Sequence, residues 1–482
     1  MPKEGEVSVG ISAVERGPYE KRYSVLAAVM LGGIMGPIDG SIVNVVLPTV
    51  STSFGVPVAV IQWVPMIYLL TISSLLLLFG RLGDIVGYRR VYLAGLAGFV
   101  VASALCGLAP AAGWLIAFRA IQGLAAAMMM AVPFALITAV FPPQERGKAL
   151  GINAISISAG LAIGPSLGGL ITSTLGWRFV FLVNIPIGVA GLLLAARVLP
   201  STKNDAARID WQGAVTCFLA LFGFLLFVNR AQSGHVPSLL WGVLAAAGIA
   251  ASLFLLTEKR TVSPLVDLTL FHNRVFSLGL GAALLSFMSQ YVLVFLTPFY
   301  LQRVLLLPAN KVGLVMTASP LAVMIVAPLS GSLSDRIGTR TLAFLGAAIS
   351  ALALALMAGL PGGAEPHDVA WRLALFGCGT GLFQSPNNSA VMGHAPRNRL
   401  GTASGVLATM RNVGMVFGIA IAGVVLYATT PAPVLGKGQL SAEEATIFLA
   451  ALGRAFWVGC LLSVAASLAS LARSEHGRQL NP

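Results

Sequence analysis

The segment GRLGDIVGYRR, Gly80–Arg90, returns later in the chain as GSLSDRIGTRT, Gly331–Thr341. An offset of 251 superposes Gly80 on Gly331, Leu82 on Leu333, Asp84 on Asp335, Gly87 on Gly338 and Arg89 on Arg340. At an offset of 254, Gly147, Ala149, Gly151, Gly164 and Gly169 meet Gly401, Ala403, Gly405, Gly418 and Gly423. A few glycine matches arise by chance, but two blocks at nearly one offset mark an internal repeat. Apolar runs flank both copies, so the repeating unit is a bundle of membrane helices. Parallel repeats of this kind are a transporter architecture, with the working site near the midplane between them.

Composition agrees. The 482 residues are 57% hydrophobic and 10% charged, against about 25% charged in an ordinary soluble chain. Apolar stretches of about 20 residues, enough to cross about 30 Å of hydrocarbon, recur at 25–47, 59–79, 91–109, 113–140, 146–174, 180–199, 211–230, 237–256, 276–301, 311–333, 341–360, 370–393, 401–428 and 446–471. The expected fold is therefore an all-α polytopic membrane protein with 14 transmembrane helices. Residues 25–200 and 275–472 form two six-helix bundles, and a linker at 201–274 carries two extra helices. Residues 1–24 and 473–482 are polar tails; the first lacks the early apolar core of a signal peptide.

The net charge of +13 is a matter of topology. One set of loops collects Lys21, Arg22, Arg81, Arg89, Arg90, Arg146, Lys148, Arg336 and Arg340, among others, while the alternate loops hold few cations. That asymmetry places both termini in the cytoplasm and the chain in the inner membrane, with no nucleic-acid partner. The four cysteines, Cys106, Cys217, Cys378 and Cys460, each stand alone in an apolar span and imply neither a disulfide framework nor a metal site.

All but one of the acidic residues fall in tails, loops or span ends; the exception is Asp39 in GGIMGPIDGSIVNVVLP, Gly32–Pro48. At about 1.5 Å per residue it lies roughly 21 Å into its helix. An acid there costs about 2.5–3.5 kcal/mol on insertion scales, so it should face a cavity or a partner. A carboxyl that exchanges its charge for a proton in such a place is a candidate coupling group.

The loop Gly80–Arg90 resembles the signature between spans 2 and 3 of the major facilitator superfamily. The resemblance implies the major facilitator fold and a cytoplasmic gate made of Gly80, Gly83, Asp84, Arg89 and Arg90, with Asp335, Arg336 and Arg340 in the second copy. GLAIGPSLGGLI, Gly160–Ile171, resembles the antiporter motif of drug exporters in that superfamily, carried by Gly160, Gly164, Pro165, Gly168 and Gly169. FRAIQG, Phe118–Gly123, resembles the span-4 motif, in which a buried arginine, here Arg119, helps proton transfer. GWRFVFLVNIPIG (Gly176–Gly188), WVPMIYLL (Trp63–Leu70) and IDWQG (Ile209–Gly213) match the fourteen-span drug:proton antiporter branch, the EmrB/QacA type. Asp39 and Arg119 are then the proton-coupling pair; the alternative is a permanent ion pair that only clips two spans together.

Polar and apolar groups that can line a central cavity are Asn44, Tyr68, Gln122, Phe134, Gln290, Tyr291, Phe383, Gln384, Asn387 and Asn388. Each has a plainer reading as a helix–helix hydrogen bond or core packing. Arg411, in MRNVG, either packs or gates, or meets an anionic headgroup. Some relatives that export dications carry a second membrane acid in the span matching 311–333, which here has none.

The expected function is proton-coupled export of hydrophobic or amphiphilic compounds by alternating access, with multidrug efflux as the first reading. A dedicated exporter or flippase of a lipid, glycolipid or metabolite is the alternative. The partners expected are membrane lipid, small substrates and protons, with the chain a monomer. No cofactor is expected, since no GxxxxGK[ST] phosphate loop occurs and the proton gradient supplies the energy. The five histidines are scattered through loops and span ends without a catalytic or metal-ligand grouping, so an enzyme is not expected.

Overall fold

The computed structural model describes residues 21–200, 211–230, 237–261, 268–395, 400–431, 434–435 and 440–473. Among the described residues the regular structure is helical throughout. The first half comprises α1 (Arg22–Phe54), α2 (Trp63–Val86, preceded by the turn Val58–Ile61), α3 (Tyr88–Gly107), α4 (Ala112–Ala131, resumed at Pro133–Val140), α5 (Pro143–Thr174) and α6 (Asn184–Val198, preceded by Phe179–Leu182). Two helices follow, α7 (Trp211–Arg230) and α8 (Ser238–Arg260). The second half comprises α9 (Arg274–Phe299), α10 (Ala309–Ile337), α11 (Thr339–Ala358), α12 (Pro366–Gly393), α13 (Leu400–Thr429) and α14 (Ala442–Leu471). In hydrocarbon every backbone polar group must be satisfied within the segment, which is why apolar runs of this length become helices.

Among the described residues eleven helices are long and apolar enough to cross a membrane, against the fourteen expected. The other three, α5, α7 and α12, are helices of 32, 20 and 28 residues at the places where spans are expected. α5 and α12 are diluted by small and polar residues, the glycine-rich motif in the first and Gln384, Asn387 and Asn388 in the second, whereas the sequence of α7 stays mostly apolar from Val215 to Val228. The expected span 113–140 is also interrupted. α4 stops at Ala131 and restarts at Pro133, because proline has no N–H to donate and its ring clashes with the carbonyl four residues back.

The two repeat blocks do matching work in the two halves. α2 passes into α3 through Gly87 at φ 101°, and α10 passes into α11 through Gly338 at φ 89°. Residues with a Cβ rarely adopt that backbone region. In the second block, a Cβ on Gly164 would stand 2.9 Å from Cβ of Ser41 on α1. A Cβ on Gly418 would likewise stand 2.9 Å from Cβ of Tyr291 on α9. Small residues here let the fifth helix of each half lie directly on the first.

The halves meet where α5 packs on α10 and α2 packs on α13. Their hydrogen bonds cluster toward the end of the bundle away from Arg22 and Leu471. Gln302 donates to the Val45 carbonyl at 3.0 Å and accepts from Thr49 at 3.1 Å. Arg303 donates to Ser51 Oγ at 3.3 Å, and the Ala59 amide donates to the Tyr427 hydroxyl at 2.7 Å. Ser166 and Thr317 share a hydrogen bond of 2.6 Å. The α7–α8 pair lies against α2 and α13, one helix from each half, with Phe224 edge-on to Phe417 at 5.6 Å.

Candidate functional site

Asp39 sits near the middle of α1 and is 1% exposed, and Arg119 of α4 is 0% exposed. Nη1 of Arg119 donates to Asp39 Oδ2 at 2.5 Å. The other carboxylate oxygen, Oδ1, accepts from Gln122 Nε2 at 3.0 Å and from Asn184 Nδ2 at 3.1 Å. A second layer holds these donors in place. Arg119 also donates to Gln122 Oε1 at 2.7 Å and, through Nε, to the Val64 carbonyl at 3.2 Å. Gln122 donates to Ser103 Oγ at 2.9 Å and accepts from the Cys106 thiol at 3.6 Å. The guanidinium lies over the Tyr68 ring at 4.0 Å and near the Phe181 ring at 5.9 Å, a favourable placement against the negative ring face.

Five of the six helices in the first half thus supply one closed cluster: α1, α2, α3, α4 and α6. Its polarity is well defined. Asp39 receives three donors, which suits a carboxylate, while a carboxyl would need an acceptor for its own hydrogen. Of the nearby oxygens, Gln122 Oε1 already receives Arg119 and Cys106, and the Val64 carbonyl receives Arg119. Adding a proton to Asp39 therefore requires an amide to turn or Arg119 to withdraw. One guanidinium nitrogen, Nη2, is buried without a partner.

The residues named from sequence separate into several environments. Gln122, expected in a substrate cavity, belongs to the Asp39 cluster. Asn44 donates back to the Gly40 carbonyl of its own helix at 2.9 Å. Phe383 is packed in the interior of the second half with Ala282, Ala343, Ala347 and Ala466. Asn387 donates to the Gly279 carbonyl at 3.3 Å and accepts from Arg473, tying α12 to α9 and to the end of α14. Gln384 and Asn388 are half-buried on α12, and Phe134 is 52% exposed. Gln290 is half-buried on α9, while Tyr68 of the first half is an electrostatic neighbour of Tyr291 of the second, and Tyr291 of Arg411. Arg411 also lies over the Phe287 ring at 4.9 Å.

Of the expected gate, Asp84 and Asp335 have side chains outside the described set. Gly83 lies against the Tyr88 ring and Val132, and a Cβ on Gly80 would meet nothing within 4 Å. The two arginines of the repeat act alike. Arg89 donates to the Ala196 carbonyl in the last turn of α6 at 2.6 Å, and Arg340 donates to the Leu471 carbonyl at the end of α14 at 2.8 Å. Each cation satisfies an orphan carbonyl and complements the negative end of the sixth helix of its own half. Arg90 and Arg336 are exposed. In the glycine motif, Gly160, Gly164 and Gly168 face α1, whereas Gly169 faces Ala309 and Asn310 of α10. The motif therefore serves one contact within a half and one between halves.

Asn184, Ser103 and Cys106 were not singled out from sequence. Asn184 carried a usable signal, as an amide inside the apolar run FVFLVNIPIG. Ser103 and Cys106 carried none, since small polar residues bonding within their own helix are common in membrane spans. Among the described residues no group of three or more His, Cys, Asp or Glu could hold a metal ion.

Comparison with known proteins places this architecture. The Major Facilitator Superfamily profile matches residues 29–419. The riboflavin transporter RibZ of Clostridioides difficile (strain 630) is 31% identical over 439 residues, covering 91% of this chain and 94% of that protein. The multidrug resistance protein Stp of Mycobacterium tuberculosis (strain CDC 1551 / Oshkosh) is 34% identical over 407 residues, covering 84% and 75% respectively. Among solved structures, a bacterial homologue of the human lysosomal transporter Spinster, crystallised inward-facing and unoccupied, superposes with a TM-score of 0.66 at 18% identity, over 94% of this chain and 97% of that one.

Proposed function

This chain belongs to the Major Facilitator Superfamily, and from that premise we propose that it is a proton-coupled exporter of hydrophobic or amphiphilic compounds, working by alternating access. The observation that carries the reading is the buried Asp39–Arg119 pair, with its three donors on one carboxylate. An acid held so deep is costly unless it does something, and its partners fit the ionised form. The ties between the halves gather at the end away from the termini. With the termini cytoplasmic, as the loop charges argue, this arrangement fits an inward-facing carrier that has released its proton and awaits substrate. Proton entry from outside then disturbs the cluster, frees Arg119 and accompanies the return. Each inward proton yields about 2.3 kcal/mol per 100 mV of membrane potential.

The finer reading is a fourteen-span carrier of the EmrB/QacA type in the inner membrane, acting as a monomer among lipids and drawing only on the proton gradient. α5, α7 and α12 complete the count. The name of Stp supports multidrug export. The name of RibZ favours a second reading, a carrier dedicated to one metabolite, and a substrate panel separates the two.

The coupling test uses proteoliposomes with an imposed pH gradient. The double variant Asp39→Asn/Arg119→Met keeps the cluster neutral and filled, so it should fold and bind substrate while losing gradient-driven accumulation. Accumulation by that variant at the wild-type level would show that the proton is carried elsewhere.

A further inference from the structure

Among the described residues Arg411 is a cation without a counter-ion. At about 1.5 Å per residue it stands roughly 16 Å along α13 from Leu400, well inside the span. The acids of the second half, Asp335, Glu365, Asp368, Glu443 and Glu444, all lie at helix ends. The one deep carboxylate, Asp39, is held by Arg119, Gln122 and Asn184. Among the described residues Arg411 makes no hydrogen bond or ion pair, and its Nε is buried without a partner. A guanidinium in a membrane interior is stable when an anion or a set of acceptors completes it.

The surroundings suit a ligand better than a missing protein partner. The guanidinium faces the Phe287 ring at 4.9 Å and lies near Tyr291. The Tyr68 hydroxyl, on a side chain almost wholly buried, has no partner among the described residues. Tyr68 comes from the first half and Tyr291 from the second, so these groups meet between the halves. One fixed cation, two phenols and an aromatic wall complement a molecule that is flat or chain-like, apolar, and acidic at one point.

We propose that Arg411, with Phe287, Tyr291 and Tyr68, forms the charge-recognising subsite of the carrier, and that its substrates are amphiphiles bearing a single anionic group, carboxylate or phosphate. The selectivity is opposite to that of a carrier presenting a free acid, because the acid here is neutralised from within. The inference rests on the exporter reading for its setting, but its test does not depend on proton coupling.

The test is equilibrium binding to the purified full-length chain, followed by transport. The probes are pyrenebutyrate, its uncharged methyl ester, a pyrenyl trimethylammonium cation of similar size, and lysophosphatidylglycerol against lysophosphatidylcholine. The wild type should bind the two anionic probes more tightly than their matched neutral or cationic forms. Arg411→Gln should weaken the anions about ten- to a hundred-fold and leave the ester within about two-fold. Arg411→Lys should restore part of the loss, since it keeps the charge without the planar fork. Pyrenebutyrate without the lysolipid would assign a soluble acid, and the reverse a lipid headgroup; either supports the subsite. Equal weakening of all probes in Arg411→Gln, or a wild type that prefers the cation, would overturn it. Loss of gradient-driven transport with Arg411-dependent binding intact would instead sink the coupling assignment and leave the subsite standing.

Discussion

Removing the charge of Asp39 alone should be far more damaging than removing that of Arg119, and the geometry says why. In Asp39→Asn the new side chain offers one oxygen and one NH2 group. If the oxygen stays with Gln122 and Asn184, the NH2 group faces Arg119 Nη1, donor against donor. If it turns, the NH2 group meets two amide donors instead. Either way a guanidinium at 0% exposure keeps its charge, because arginine does not give up its proton in proteins. Breaking a buried pair from one side costs about 3–5 kcal/mol. At about 2–4 °C per kcal/mol for a unit of this size, the melting temperature in detergent should fall by roughly 6–20 °C. Arg119→Met leaves a carboxyl that can take a proton and keep its amide partners after they turn, so its loss should be less than half as large. The double variant should recover most of the stability lost in Asp39→Asn. The assay is thermal unfolding of the four proteins in one detergent, read by tryptophan fluorescence as a double-mutant cycle. Equal losses in the two single variants, or no recovery in the double, would refute the claim that the pair is closed within the protein.

Gly169→Val should drive its side chain into the Ala309 carbonyl and hold α5 away from α10. Spin labels on the far ends of those helices should then report longer distances than in the wild type. Arg89→Ala and Arg340→Ala should each cost about 0.3–1 kcal/mol through the lost carbonyl contact, and the two losses should add within about 0.5 kcal/mol because the sites are distant; thermal unfolding of both singles and the double measures this. Tyr68→Phe should keep transport coupled. Tyr68→Ala, which uncovers Arg119, should admit protons without matching substrate export, seen as a raised ratio of proton uptake to substrate moved in proteoliposomes.

Much of this molecule was legible from sequence because two of its signals are imposed by the solvent. Helices longer than the bilayer core follow from apolar runs, and an acid such as Asp39 stands out wherever the background is apolar. The repeat was legible because the residues it keeps are demanded by backbone geometry. Gly87 and Gly338 need positive φ, Gly164 and Gly418 need close approach, and Arg89 and Arg340 cap helix ends. Polar residues inside spans were harder. Gln122, Asn387 and Asn44 look alike in a linear reading, yet one holds Asp39, one receives Arg473 and one bonds its own helix. Which face of a span an amide occupies depends on how the helices rotate against one another, and periodicity in a chain apolar on every side carries little information about that. The same limit hid Ser103 and Asn184. It also made Phe383, buried among alanines, indistinguishable from a cavity wall.

The placement of the cluster constrains how a proton can move the whole protein. Every group that holds Asp39 belongs to the first half, so protonation breaks no bond between the halves. If Asp39 is the coupling acid proposed above, its signal must leave the cluster through a neighbour that also faces the second half. Tyr68 meets that requirement: its ring covers Arg119 at 4.0 Å, and it lies within reach of Tyr291 on α9. Tyr291 in turn borders Arg411 and sits where Gly418 lets α13 press on α9. An anion arriving at Arg411 and a proton arriving at Asp39 would thus act on the two ends of one electrostatic chain, Arg119–Tyr68–Tyr291–Arg411. A shift of Arg119 toward or away from Tyr68 is all that the first half need transmit, and the glycine-smoothed surfaces of α5 and α10 let the halves answer by rocking as rigid bodies.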